Sequence, residues 1–276
     1  MVDYSWSLAP LPFLLVGVAV AAYILAWRAA GRRRAATDLE DLQLACMIGA
    51  ALLALVALVS PIARLGEQMF GFHMLQHLLL LDFVPLLVAL AVTPDILGPA
   101  LAPLRRLERR LGAALHPAVI VALYAGGMWA WHSRPLFDLA MRSEFWHAVQ
   151  HGWFVLTGVL FWWYVVGEVR PLRRPRGMGV FAFVTSTKLI TGLLAATIVG
   201  SSLARYPAYA GAPRLPGMSA AEDRALAGGM MLFEELLVMS LALTFMFVRM
   251  LGEEQGDPPE PAEAVNRADR VRAGSR

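Results

Sequence analysis

Charge is scarce in this chain. Asp, Glu, Lys and Arg make up 16% of its 276 residues, against about 25% in soluble domains, which excludes an ordinary water-facing surface over most of its length. Cysteine is scarcer still. The single Cys46 excludes an internal disulfide and any CxxC site, and its place inside an apolar run suits a small apolar role. Phosphate-binding loops, a Ser-His-Asp pattern and nucleic-acid signatures are absent. The first apolar run has no basic residue before it and an arginine cluster after it, the reverse of a secretory signal. The length suits one bundle, and a large soluble domain is not expected within these 276 residues.

What is present is apolar length. Apolar residues make up 58% of the chain and the mean hydropathy is +0.57. Runs near the roughly 20 residues needed to cross a bilayer as helix recur at 11–27, 44–60, 69–92, 117–131, 145–166, 178–200 and 225–250. The second stops at Pro61, and 132–144 reads as a turn plus a short amphipathic helix. The expected fold is all-α: a polytopic membrane bundle of seven helices over residues 1–251, with a disordered tail at 252–276.

Arginines orient the spans. The segments after spans one, three and five carry four arginines each; those after two, four and six carry one, two and three. The richer side is cytoplasmic by the positive-inside rule, so the N-terminus is expected outside and the C-terminus inside. The +3 net charge follows this distribution and marks no binding patch.

Two histidine pairs stand out: His73-Met74-Leu75-Gln76-His77 and His147-Ala148-Val149-Gln150-His151. Spacing of four puts both imidazoles of a pair on one helix face. Each pair sits near the outer start of its span, and His132 closes span four on the same side. Pro61 to His77 and Pro135 to His151 align without a gap at an offset of 74, which suggests an internal repeat with an axis along the membrane normal. Such an axis would bring the pairs together. Imidazoles in this number suit zinc, copper, iron or nickel. The competing reading is polar helix packing, which one lone histidine would favour and two matched pairs disfavour. Met74 and Met128, close in sequence to His73 and His132, could add thioethers that favour cuprous copper, although methionine is also ordinary apolar filler. A haem clamped between opposed histidines is the rival. It lacks small-residue relief for a porphyrin, with Gly71 and Gly152 the only small neighbours of note.

Charges within the spans form a second group. Asp82, Lys188, Glu234 and Glu235 fall near mid-membrane, where charges are costly and pair or line a polar path. Asp82 or Glu234 with Lys188 is the expected pairing. Either an ion pair fixing helix order or a proton-coupled or copper-transport route would use it. Tryptophans near the span ends read as interface anchors, with an outer docking surface as the alternative.

Several motifs together resemble a known family. They are His73-Met74-Leu75-Gln76-His77-Leu78-Leu79-Leu80, Trp131-His132 followed by Pro135-Leu136-Phe137-Asp138, His147 to His151 ahead of Phe161-Trp162-Trp163, Tyr206-Pro207-Ala208-Tyr209, and Glu222-Asp223-Arg224-Ala225-Leu226-Ala227-Gly228. In this order they look like the multi-span CtaG family of cytochrome c oxidase assembly factors. The resemblance implies a seven-span protein of the bacterial inner membrane, non-enzymatic, that helps mature haem-copper oxidase at a copper-insertion step. Its partners would be an oxidase subunit or a copper donor on the outer side. It carries the family's histidines onto His73, His77, His132, His147 and His151, and the acidic start of the last span onto Asp223. Arg224, Met231, Glu234 and Glu235 depart from the family's pattern, the last two standing where a Pro-Gly kink is expected.

Overall fold

The structure is a computed structural model that describes residues 2–7, 9–31, 38–169, 171–201, 206–209 and 211–255. Regular structure among these residues is entirely helical. In chain order it comprises α1 (Pro10–Gly31), α2 (Asp38–Val59), α3 (Pro61–Gln68), α4 (Phe70–Leu78), α5 (Val84–Ala91), α6 (Pro94–Leu97), α7 (Leu101–Leu111), α8 (Pro117–Val121), α9 (Gly127–Trp131), α10 (Arg134–Arg142), α11 (Glu144–Val165), α12 (Met178–Gly200) and α13 (Ala220–Gln255).

Among the described residues five helices are long and apolar enough to cross a membrane: Pro10–Gly31, Asp41–Val59, Phe70–Ala91, Met178–Gly200 and Ala220–Thr244. A sixth candidate, Leu101–Leu115 with Pro117–Trp131, is bent by 75° at its break. Its first half carries Arg105, Arg106, Arg109 and Arg110 and is strongly amphipathic, a composition that suits the interface plane. The fifth expected span, α11, has the length, 22 residues or about 33 Å, but its first turns carry Glu144, His147, Gln150 and His151. The chain is thus a multi-pass membrane protein. The last helix begins at Ala220 and runs on to Gln255, beyond the expected boundary at 251. The rest of the expected tail, 256–276, lies outside the described residues, as do the topology-setting Arg32, Arg33, Arg34, Arg170 and Arg205.

Lipid-facing surface explains the exposed apolar side chains. Leu14, Val18 and Leu25 of α1, Leu189 and Leu193 of α12, and Phe233 and Leu241 of α13 are each about 60% exposed or more. They recur at helical spacings on outer faces. A soluble monomer does not expose apolar stripes of this extent. α1 is peripheral: Tyr23 is its buried residue, and the Tyr23 hydroxyl donates to the Ala91 carbonyl at 3.0 Å. α12 and α13 pack along each other, and α13 also lies against α4. Their approach depends on a missing side chain, since a Cβ at Gly228 would sit 2.9 Å from the Ala195 carbonyl oxygen. Small residues permit such backbone proximity between membrane helices.

Two π turns interrupt the interior helices, at Leu79–Phe83 and Ala122–Gly126. The first has a local cause. Pro85 has no N–H for the Leu81 carbonyl, and its ring would crowd that carbonyl in a regular helix, so the ladder widens just before it. The Leu81 carbonyl then lies against α11, where a Cβ at Gly158 would come within 1.9 Å of its oxygen. At the second turn the Trp153 indole of α11 donates to the Leu123 carbonyl at 3.3 Å. α11 therefore braces both turns, and the turns carry Asp82 and Tyr124 into the interior.

Candidate metal centre

Each histidine pair is delivered by the same local device. A short amphipathic helix opens on a serine and proline: Ser60-Pro61 for α3, Ser133 with Pro135 in the first turn for α10. Proline suits the first turn because its missing N–H would be unsatisfied there anyway. One extended residue then breaks the chain, Met69 at φ −128°, ψ 131° and Ser143 at φ −141°, ψ 115°. The long helix starts at the next residue, and the first histidine sits one turn in. His73 N–H donates to the Met69 carbonyl at 3.1 Å and His147 N–H to the Ser143 carbonyl at 2.9 Å. Met69 and Ser143 are also 74 positions apart. The sequence repeat is thus a repeat of backbone geometry, helix, break and helix.

The two copies face each other. Ring centroids of His73 and His77 are 4.1 Å apart, and those of His147 and His151 are 4.2 Å apart. Across the helices His73 and His147 are 5.4 Å apart with planes 8° from parallel, and His77 and His151 are 5.5 Å apart. The four imidazoles form a near-symmetric quartet, short along each helix and longer between helices. His132, at the end of α9, approaches His77 at 5.8 Å. Phe137 lies 5.4 Å from His73, and Phe154 lies 4.7 Å from His77. His73, His77 and His132 are buried, whereas His147 and His151 are half-buried. The quartet therefore opens on its α11 side.

Chemically the quartet is a set of ring nitrogens without hydrogen-bond partners. Both ring nitrogens of His73 and of His77, and Nε2 of His147 and of His151, are buried with no hydrogen bond. Buried polar atoms are nearly always satisfied, and leaving one unpaired costs about 1–3 kcal/mol. Six such ring nitrogens gather at this one place. Nitrogens of His73, His77 and His147 lie within 4.8 Å of one another. Imidazole–metal bonds of about 2.0 Å span at most about 4 Å between two ligands, so a bound ion would need the rings to close by roughly an ångström, within the reach of small side-chain rotations.

A second pair of candidate ligands, His132 and Met74, adjoins the quartet. His132 Nδ1 lies 2.8 Å from the Met128 carbonyl, and Nε2 lies 3.2 Å from Met74 Sδ. A carbonyl only accepts, so Nδ1 carries the proton and Nε2 turns its lone pair toward the thioether. An imidazole whose other N–H is held by a carbonyl is the usual arrangement of a metal-bound histidine. The separation of 3.2 Å suits two ligands sharing one ion at roughly 2.0–2.3 Å each. Met74 therefore reaches the site through its sulfur, whereas Met128 reaches His132 through its backbone.

The last helix holds this arrangement in place. The Asp223 carboxylate accepts from the Phe70 and Gly71 N–H groups at 2.9 Å each, capping α4 where its first turn exposes unpaired donors. Arg214 Nε lies 3.8 Å from the same carboxylate. Asp223 is thus a cap on the first histidine helix. In the loop ahead of α13, the Tyr209 hydroxyl donates to the Gly66 carbonyl at 2.6 Å, and burial pushes its phenol well above the ordinary value. The Tyr206 hydroxyl lies 3.4 Å from the His132 carbonyl. Phe70, Phe137, Tyr206 and Tyr209 stack together over this end of the bundle.

Sequence reasoning missed part of this. Gln76 donates to the Ala57 carbonyl at 2.9 Å while its Oε1 has no partner, and both amide atoms of Gln150 have none. Their identical place in the two histidine motifs was the available signal. Nothing local marked Tyr124.

Asp82, Lys188 and Glu234 do not join the imidazoles. They form a separate cluster in which Lys188 Nζ lies 3.0 Å from Asp82 Oδ1, 3.4 Å from Glu234 Oε1 and 3.3 Å from Glu235 Oε2. Lys188 thus pairs with Asp82 and with Glu234 at once, and with Glu235 besides.

Comparison with known proteins identifies a family. Residues 21–253 match the family model described as cytochrome c oxidase caa3 assembly factor. Uncharacterized proteins of Mycobacterium bovis and Mycobacterium tuberculosis are each 28% identical over 231 residues, covering 77% of this chain and 34% of theirs. One from Mycobacterium leprae is 28% identical over 137 residues, covering 42% of this chain and 20% of its own. The chain thus spans about a third of the length of the first two relatives. No solved structure matches.

Proposed function

The chain belongs to the cytochrome c oxidase caa3 assembly factor family, and from that premise we propose that it binds copper at the histidine quartet and passes it to a subunit of a haem-copper oxidase. The copper is cargo, taken from a donor and surrendered to a client. In this reading α11 completes a seven-span bundle in a bacterial inner membrane, N-terminus outside, with the quartet about one helical turn below the outer linker helices α3 and α10. The protein acts by binding and release, without catalysis.

The observation that carries the reading is the set of unpartnered imidazole nitrogens on two facing helices. Imidazole with thioether favours copper, and cuprous copper in particular, over hard cations; Met74 Sδ beside His132 Nε2 supplies that combination. Delivery requires ligands that can be exchanged, and the half-buried His147 and His151 leave the quartet approachable from one side.

Haem is less well served. The four rings already contact one another, and phenylalanines flank them. Gly71 gives no relief, since a Cβ there would meet Leu226 Cδ2 at 3.1 Å and Asp223 Oδ1 at 3.3 Å. Metal analysis with an optical spectrum of the purified protein separates the two. Copper in a preparation without a Soret band is the expected result; a bis-histidine haem spectrum would sink the proposal.

A further inference from the structure

The cluster around Lys188 has an unbalanced charge. One ammonium faces three carboxylates, those of Asp82, Glu234 and Glu235, all buried. The phenol of Tyr124 donates to Asp82 Oδ2 at 2.7 Å and accepts from Lys188 Nζ at 3.0 Å. α11 contributes an aromatic face, Phe161, 5.5 Å from Nζ. No other ionisable side chain is in contact with the ammonium among the described residues. Fully ionised, the cluster would carry two uncompensated negative charges inside the bundle, where isolated charge is strongly disfavoured.

The hydrogen bonds say which carboxylate is the anion. Asp82 is satisfied at both oxygens, by Lys188 at 3.0 Å and by Tyr124 at 2.7 Å. Glu234 turns Oε1 to the ammonium at 3.4 Å and leaves Oε2 buried without a partner. Glu235 turns Oε2 to the ammonium at 3.3 Å, a contact that does not meet hydrogen-bond geometry. Asp82 alone has a hydrogen-bond donor on each oxygen, so the excess of two negative charges falls on the two glutamates.

We propose that this cluster is a proton-binding site, in which Glu234 and Glu235 hold two exchangeable protons while Asp82 stays ionised against Lys188. A metal cation would fit worse, because the ammonium already occupies the centre that the oxygens surround. Two π turns, a feature concentrated at functional sites, present Asp82 and Tyr124 to the cluster. The proposal stands apart from the copper reading and uses none of the imidazoles.

Infrared spectroscopy of the full chain in lipid nanodiscs tests it through the carbonyl stretch of protonated carboxyl groups. At neutral pH in choline chloride, the unaltered protein should show two such bands that shift on transfer to heavy water. Glu234→Gln and Glu235→Gln should each remove one. Asp82→Asn should also remove one, because a lone lysine then needs one glutamate ionised. Absence of both bands in the unaltered protein overturns the proposal without recourse to variants. So do bands that fail to exchange with heavy water, or that vanish when sodium replaces choline.

Discussion

His73 and His147 lie 5.4 Å apart with their rings 8° from parallel, although 74 positions separate them in the chain. The pairing joins equivalent residues of two repeated units. In the proposed copper site the two histidines take matching positions on α4 and α11. His73→Ala and His147→Ala should therefore lower copper affinity to a similar extent, by roughly tenfold or more, the scale set by loss of groups that support a metal site. Competition titration with a cuprous chelator on purified protein reads this. A large loss in one variant and none in the other would contradict the shared site.

His77 neighbours three other imidazoles, His73, His132 and His151, where His73 neighbours two, His77 and His147. His77→Ala should reduce copper stoichiometry and the level of assembled oxidase in cells while leaving the protein in the membrane. Unchanged copper content and oxidase level would count against the delivery role.

Met74 is wholly buried, and its sulfur faces His132. Replacement by leucine keeps the volume, and swaps of this kind cost less than about 1.5 kcal/mol of stability. Met74→Leu should therefore melt near the parent protein yet bind cuprous copper more weakly. Equal cuprous affinity would assign Met74 to packing alone.

Asp223 caps α4 through two N–H groups at 2.9 Å. Asp223→Ala should cost on the order of 1–2 kcal/mol, as lost caps do, and lower the melting temperature in detergent. Asp223→Asn keeps an accepting oxygen and should recover part of the loss. The cap orients the helix that bears His73 and His77, so the alanine variant should also bind copper less tightly.

Gly158 admits the Leu81 carbonyl to within 1.9 Å of where a Cβ would stand. Gly158→Ala should destabilise the protein by about 1–3 kcal/mol, the usual cost of overpacking. Thermal unfolding followed by size-exclusion chromatography checks this, and an unchanged melting temperature would mean that α11 can withdraw freely from the π turn.

Much of the fold could be read along the chain. Apolar run lengths located the spans, and the five straight membrane-length helices fall where those runs do. The amphipathic linker before α11 and the stop at Pro61 were legible because proline and helix periodicity act locally. Spacing of four put each histidine pair on one face, and the offset of 74 matched the pairs to each other. α11 falls outside those five helices, its first turns carrying Glu144 and the second histidine pair.

Only the tertiary structure decided which faces meet. That His73 stacks on His147, that the Met74 thioether reaches His132, and that Asp223 caps α4 from more than 150 positions away all depend on how closely helices approach. That approach is set by the absence of a Cβ at Gly158 and Gly228 and by the wide turn before Pro85, features whose partners lie far off in sequence. Periodicity assigns a residue to a face of its own helix; the neighbour across that face is chosen by packing, and with it the chemistry of the site.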